Sequence, residues 1–257
     1  MIGKTIEIKR RNILDKKILE TLAEATELFF ESKIEMIISN KKCFLYENQS
    51  ADNILIQAID KYDLEVLDNE VAKIKELSNE KFTLIAFLVD NWNDDLSPWE
   101  ASAVFGEESF GGKAYKTLEY IEKELIPYLK EKYGDSNKLY IGGYSLSALF
   151  ALWTCYNTSI FDGVVAASPS MWFPNFIEYA KNNQLKVGKV YLSLGDKEEK
   201  TRNKIMSTVG NNIREFYAML NQNIGNNVVL EWNEGNHFIN TDLRTAKGFA
   251  WIMKNNL

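Results

Sequence analysis

The stretch Lys138-Leu139-Tyr140-Ile141-Gly142-Gly143-Tyr144-Ser145-Leu146-Ser147-Ala148-Leu149 narrows what this chain can fold into more than any other part of it. A short apolar run meets paired glycines, one serine follows, and Phe150-Ala151-Leu152-Trp153 continues an apolar helix pattern. That order predicts a strand, a sharp turn and a helix. Such a turn lifts a serine hydroxyl clear of the sheet beside the positive end of the helix, as in a nucleophile elbow. The usual spelling is G-x-S-x-G, and here Ser147 stands in place of the last glycine. That glycine lets the helix pack closely on neighbouring strands, and serine is small enough to substitute for it. Taken alone, the same residues also read as an ordinary strand-to-helix turn, so the rest of the chain decides.

The rest alternates. Residues 14 to 32 carry Leu14, Ile18, Leu19, Leu22, Ala25, Leu28 and Phe29 at helical spacing. Residues 35–38 and 42–46 read as short strands, 54–59 as a buried strand, 60–77 as a helix and 82–89 as the most hydrophobic strand. A helix is expected over 114–133, stopped by Gly134. After the serine turn come a strand at 161–168, a short helix ending near Asn182, a strand at 190–194, a long helix over 201–221, a strand at 228–232 and a closing helix over 241–254. This rhythm predicts an α/β fold with a mostly parallel central sheet and helices on both faces. Residues 91–112 interrupt it as a loop containing Trp92 and Trp99, either a functional rim or a segment that the two rings pack onto the body. No Pro/Gly/Ser-rich linker divides the chain, so residues 1–257 read as a single domain. The packing of residues 1–50, as an extra sheet edge or as a contact between copies, stays open.

A net charge of −6 argues against a nucleic-acid partner, which usually meets a basic face. No apolar run approaches the ~20 residues of a membrane span, and the opening residues do not resemble a secretion signal. Cys43 and Cys155 lie far apart in sequence, so a disulfide framework is not implied and a reducing cytoplasm fits. One histidine and two separated cysteines supply no usual metal-ligand set, and no cofactor is expected.

The single histidine, His237, falls in Glu234-Gly235-Asn236-His237-Phe238, between the last strand and the last helix. A parallel sheet collects the loops after its strands along one edge, so His237 and Ser145 are expected on a common rim. A third strand ends there with Gly195-Asp196-Lys197-Glu198-Glu199. Serine, acid, histidine is the chain order of the α/β-hydrolase triad. Ser145 would be the nucleophile and His237 its base, with Glu198 as the orienting acid and Asp196 and Glu199 as rivals. The oxyanion would take backbone N–H groups from Leu146 and from the turn after the 54–59 strand, near Lys61.

Tyr140-Ile141-Gly142-Gly143-Tyr144-Ser145-Leu146-Ser147, Ser168-Pro169-Ser170-Met171-Trp172-Phe173, Gly195-Asp196-Lys197-Glu198 and Gly235-Asn236-His237 together resemble the esterase family that includes esterase D and the enterochelin (siderophore) esterases. The resemblance covers roughly residues 50 to 257. It implies an α/β-hydrolase fold with a Ser/acid/His site and Trp172 lining the acyl or alcohol pocket. Siderophore esterases tend to carry an arginine in the loop after the fourth strand. Residues Trp92 to Trp99 contain none, which argues against an anionic triscatecholate. About twenty residues separate Ser168 from Val190, too few for the large lid that this fold often inserts there. An open pocket rimmed by Trp92, Trp99, Trp172 and Phe238 would suit a small or medium ester with an apolar or aromatic part. Acyl transfer, thioester cleavage and a non-catalytic binding role are the alternatives.

Overall fold

The computed structural model describes residues 33–254. The helix expected over 14–32 lies outside them. Strands β1 (Lys33–Ile38) and β2 (Lys41–Tyr46) form a hairpin, followed by β3 (Asn53–Ile59), helix α1 (Lys61–Leu77) and β4 (Phe82–Leu88). Helix α2 (Trp92–Leu96) and the two-residue strands β5 (Glu100–Ala101) and β6 (Phe110–Gly111) lead into α3 (Ala114–Tyr120), a π turn (Ile121–Leu125) and α4 (Ile126–Tyr133). Then come β7 (Lys138–Tyr144), α5 (Ser145–Asn157), β8 (Gly163–Ala167), α6 (Phe176–Asn182), β9 (Val190–Gly195), α7 (Val209–Ile224), β10 (Val228–Asn233) and α8 (Thr241–Met253).

The main sheet runs β1-β2-β4-β3-β7-β8-β9-β10. From β4 to β10 every neighbouring pair is parallel, and the β1–β2 hairpin joins β4 antiparallel. Residues 33–46 therefore extend the sheet at its β4 edge. Strand side chains alternate between faces, and both faces are buried. Ile54, Ile56 and Ala58 face the core under α3, α4, α5 and α7, while Leu55 and Ile59 face the one under α1 and α8. This is the α/β-hydrolase architecture, and the short α6 is the only helix between Ser168 and Val190.

Two expectations need correction. Residues 91–112 are not structureless: the Asn91 side chain caps α2 by accepting the Asp94 N–H, and Asp95 accepts the N–H groups of Asp90 and Asn91. The long helix starts at Val209 rather than 201, and ends at Ile224. The Asn203 side chain accepts the N–H groups of Ile205 and Met206, and this Asx turn competes with helix for those donors.

Candidate active site

Ser145 is the first residue of α5 and sits at φ 58°, the left-handed region that side chains other than glycine occupy at a cost. Packing imposes the turn. The Ser145 carbonyl accepts the Ser170 N–H at 3.1 Å, and the Ser147 hydroxyl donates to the Ala58 carbonyl at 2.7 Å, tying α5 to the end of β3. A side chain on Gly143 would collide with Ser147, and one on Gly142 with Phe249 and Val165. The glycine pair is thus required by close approach, and Ser147 fits where glycine is usual because its hydroxyl has an acceptor.

Strands β7, β9 and β10 are parallel, so the residues that follow them share an edge. Across that edge His237 Nε2 lies 3.0 Å from Ser145 Oγ, and His237 Nδ1 lies 2.7 Å from Glu198 Oε2. The loop carrying His237 is fixed at several points. Gly235 turns it at φ 103° and donates its N–H to Asp196 at 2.8 Å, and the Tyr144 hydroxyl donates to the His237 carbonyl at 2.8 Å. Of the three acidic candidates, Glu198 touches the imidazole; Asp196 holds the loop, and Glu199 forms a two-pronged pair with Arg214 at 2.8 Å.

Glu198 is buried, yet both of its oxygens are satisfied. Oε1 accepts from the Gly195 N–H at 2.7 Å, the Ser168 hydroxyl at 2.8 Å and Arg244 Nη1 at 2.9 Å. Burial pushes its carboxyl upward, but the hydrogen bond and charge of His237, the Gly195 N–H and the Ser168 hydroxyl together outweigh it and hold Glu198 below the usual carboxylate range. It stays an ionised acceptor for the imidazole N–H.

A cavity of about 410 Å³ opens beside the imidazole, with Pro169, Trp172, Lys197, Met206, His237 and Phe238 among its walls. Trp172 is buried against Phe105, Phe110 and Phe173, whereas Phe238 is 83% exposed and meets His237 edge-on. The other two tryptophans lie elsewhere. Trp92 lines a separate cavity with Asp60, Lys61 and Leu88, and Trp99 donates its ring N–H to the Pro174 carbonyl at 3.0 Å while packing on Phe173 and Tyr179.

A family model described as "Putative esterase" matches residues 76–238. The chain belongs to this esterase family. Its enzyme class is ester hydrolysis on an α/β-hydrolase fold. No curated protein sequence matches the chain. Among solved structures, the esterase is similar to an IroE-like serine hydrolase from Shewanella oneidensis, with a TM-score of 0.70 at 13% identity over 86% of this chain and 79% of that one. It is similar to the siderophore hydrolase EstA from Aspergillus nidulans, with a TM-score of 0.67 at 16% identity over 86% and 93%. It also resembles the BES protein from Bacillus cereus, with a TM-score of 0.63 at 16% identity over 87% and 96%. At such identities the likeness is one of fold. Among the described residues of the esterase, no helix is long and apolar enough to cross a membrane.

Sequence reasoning missed three residues around Glu198. Ser168, directly after β8, sits at φ 45° and donates to Glu198, and Tyr144 holds the His237 loop. Arg244, 1% exposed on α8, reaches back under the whole group. A signal for it existed: Arg244 shares a helical face with Gly248 and Ile252, and a cation on an apolar face needs buried partners.

Proposed function

We propose that this esterase hydrolyses a small or medium carboxylic ester through Ser145 as nucleophile, His237 as general base and then acid, and Glu198 as the carboxylate that orients the imidazole. The observation that carries this reading is the unbroken line from Ser145 Oγ through both ring nitrogens of His237 to Glu198 Oε2, at 3.0 and 2.7 Å. As Ser145 Oγ attacks the ester carbonyl, His237 Nε2 takes its proton, and the ionised Glu198 stabilises the imidazolium through Nδ1–H. The proton then passes to the departing alcohol oxygen, leaving an acyl group on Ser145. A water molecule, deprotonated by the same nitrogen, releases the acid.

The developing oxyanion would lie between two backbone donors. Helix α5 starts without a side-chain cap, which leaves the Leu146 N–H uncommitted at the positive end of the helix. At α1, Asp60 takes the N–H groups of Tyr62 and Asp63, Asp63 takes that of Asp60, and the Lys61 N–H keeps no acceptor among the described residues. Because β3 pairs directly with β7, the turn bearing Lys61 runs beside the turn bearing Ser145. Each such donor typically supports a rate gain of ~10²–10³.

Trp172 and Phe238 would hold an apolar or aromatic part of the ester in the cavity beside His237. Trp92 instead lines the cavity beside Lys61, and Trp99 packs on Phe173 and Tyr179. The buried, unpaired Cys43 and Cys155 suit a reducing compartment, and we assign the reaction to the cytoplasm. The test is turnover of p-nitrophenyl acetate and butyrate by the wild type and by Ser145→Ala and His237→Ala. Each variant is expected to lose on the order of 10⁶ in kcat. Retention of wild-type turnover by folded Ser145→Ala would refute the assignment.

A further inference from the structure

We propose that Arg244 is a positioning residue of this esterase: its guanidinium fork fixes both the Glu198 carboxylate and the backbone of the His237 loop, and so aims the imidazole at Ser145. This rests on the reading above, and extends it to a residue that touches neither substrate nor the imidazole.

Arg244 makes five hydrogen bonds from its two terminal nitrogens. Nη1 donates to Glu198 Oε1 at 2.9 Å, to Ser168 Oγ at 3.1 Å and to the Tyr144 hydroxyl at 3.1 Å. Nη2 donates to the carbonyls of Glu234 at 3.1 Å and Asn236 at 2.9 Å, the second of which immediately precedes His237. One planar group thus grips the acid, the strand end before the nucleophile and the loop of the base. Its partners belong to four elements of the fold: β7, the end of β8, the turn after β9 and the loop after β10. The space is kept open at Gly195, where a side chain would run into the Gly235 carbonyl, Glu198 and Arg244. Nε has no partner among the described residues, so the terminal fork alone does the holding.

Charge gives the arrangement a second consequence. A buried carboxylate beside an imidazole favours the imidazolium, and the guanidinium on its other oxygen offsets that bias. Arg244 sits on Glu198 Oε1 and His237 on Oε2, so the Arg244–Glu198 pair adds no net charge beside the imidazole. The other charged or titratable groups facing His237 are Tyr144, whose phenol burial pushes up to about 12, Asp196 at the base of the loop, and Lys197 and Lys200 on the cavity wall. None of these lies on Glu198 Oε1.

Two substitutions separate fork from charge. Arg244→Lys keeps the charge but not a planar fork able to bridge acid and loop. Its kcat is expected to fall ~10–100-fold with KM within about twofold and the acid limb of the kcat/KM pH profile unmoved. Arg244→Met removes the charge, and that acid limb should move up by about one pH unit. A purely structural role would lower the urea midpoint without shifting the limb. His237 is the chain's single histidine, so its imidazole ¹H–¹⁵N resonances are read without assignment. A low-field Nδ1–H signal is expected in the wild type and should weaken in both variants. Wild-type kcat and imidazole signals in Arg244→Lys would overturn the proposal, as would an unmoved acid limb in folded Arg244→Met. Should Arg244→Met not fold, Arg244→Lys decides. A wild type that neither turns over esters nor labels with a fluorophosphonate would sink the catalytic reading instead, while the imidazole signals still test Arg244.

Discussion

Two buried glutamates in this molecule stand in opposite electrostatic states. Glu198, in the turn after β9, is 8% exposed, and Glu70, in α1, is 6% exposed. Glu198 has a donor on each oxygen and is held below the usual carboxylate range. Glu70 lies by a small cavity with Gln57, Asp63 and Asp242, and its Oε1 has no partner among the described residues. Burial, the charge of Asp63 and that of Asp242 raise its carboxyl well above the usual range, against a bond from Gln57 that lowers it. Asp63 follows the same course, pushed up to about 7 by burial and by Asp60. Similar burial therefore favours the ionised form where the fold supplies several donors and a cation, and the protonated form where it supplies one donor and a neighbouring carboxylate. The donors gather at the carboxyl edge of the sheet, next to the serine and the histidine.

The two glutamates should differ most in catalysis. Glu198→Gln should lower kcat/KM for a p-nitrophenyl ester by ~10³–10⁴, since an amide can neither enforce the imidazole tautomer nor stabilise the imidazolium. Glu70→Gln should stay within about threefold of wild type in the same assay. Equal losses would mean that the two carboxylates do not differ as described.

Stability should divide the same pair. Glu198→Gln leaves the Arg244 charge buried without its counter-ion, at a cost of ~3 kcal/mol in urea unfolding. Glu70→Gln removes a carboxyl whose charged form burial and Asp63 already disfavour, and should change stability by less than ~1 kcal/mol.

The pH dependence carries opposite signs at the two sites. Glu198 is depressed, so its contribution is present above the unfolded carboxylate value of ~4.3 and is lost as pH falls through its lower folded value. Asp63 and Glu70 are raised, so their contribution is present below ~4 and is lost as pH rises through the folded value, about 7 for Asp63. Stability should therefore decline between about pH 4 and 7, and Asp63→Asn should recover on the order of 2 kcal/mol of that decline. A urea midpoint with the same pH slope in Asp63→Asn and wild type would contradict the sign.

The smallest effect concerns strain, which the serine turn stores and α1 does not. Ser145 is held at φ 58°, so Ser145→Gly should raise stability by ~0.5–1 kcal/mol while abolishing turnover. A lower midpoint would show that the turn costs the serine nothing.

What could be read from the sequence was what local pattern or topology determines. Gly142, Gly143 and Ser145 announce a strand-to-helix turn because only small residues survive the approach of Phe249, Val165 and Ser147. The alternation of strands and helices forces a parallel sheet, and a parallel sheet forces Ser145, Glu198 and His237 to one edge. Contacts made across that edge left fainter traces. Arg244 lies a hundred residues from Tyr144, and Ser168 is an ordinary serine until β8 and β9 bring it to Glu198. Aromatic content marked residues 91–112 as unusual but could not say which way the rings point: Trp99 turns inward to Phe173 and Tyr179. Asn91 and Asn203 reset the local backbone through side-chain hydrogen bonds that hydrophobic periodicity does not register.

In the proposed mechanism Ser145 is made nucleophilic by His237 and Glu198. The most direct measurement is stoichiometric labelling with a fluorophosphonate, with the adduct located by peptide mass and the labelling rate compared between wild type and Glu198→Gln. One adduct per chain is expected, on Ser145, formed at least ~10²-fold more slowly in Glu198→Gln. An adduct on another residue, or equal labelling rates in the two proteins, would contradict it.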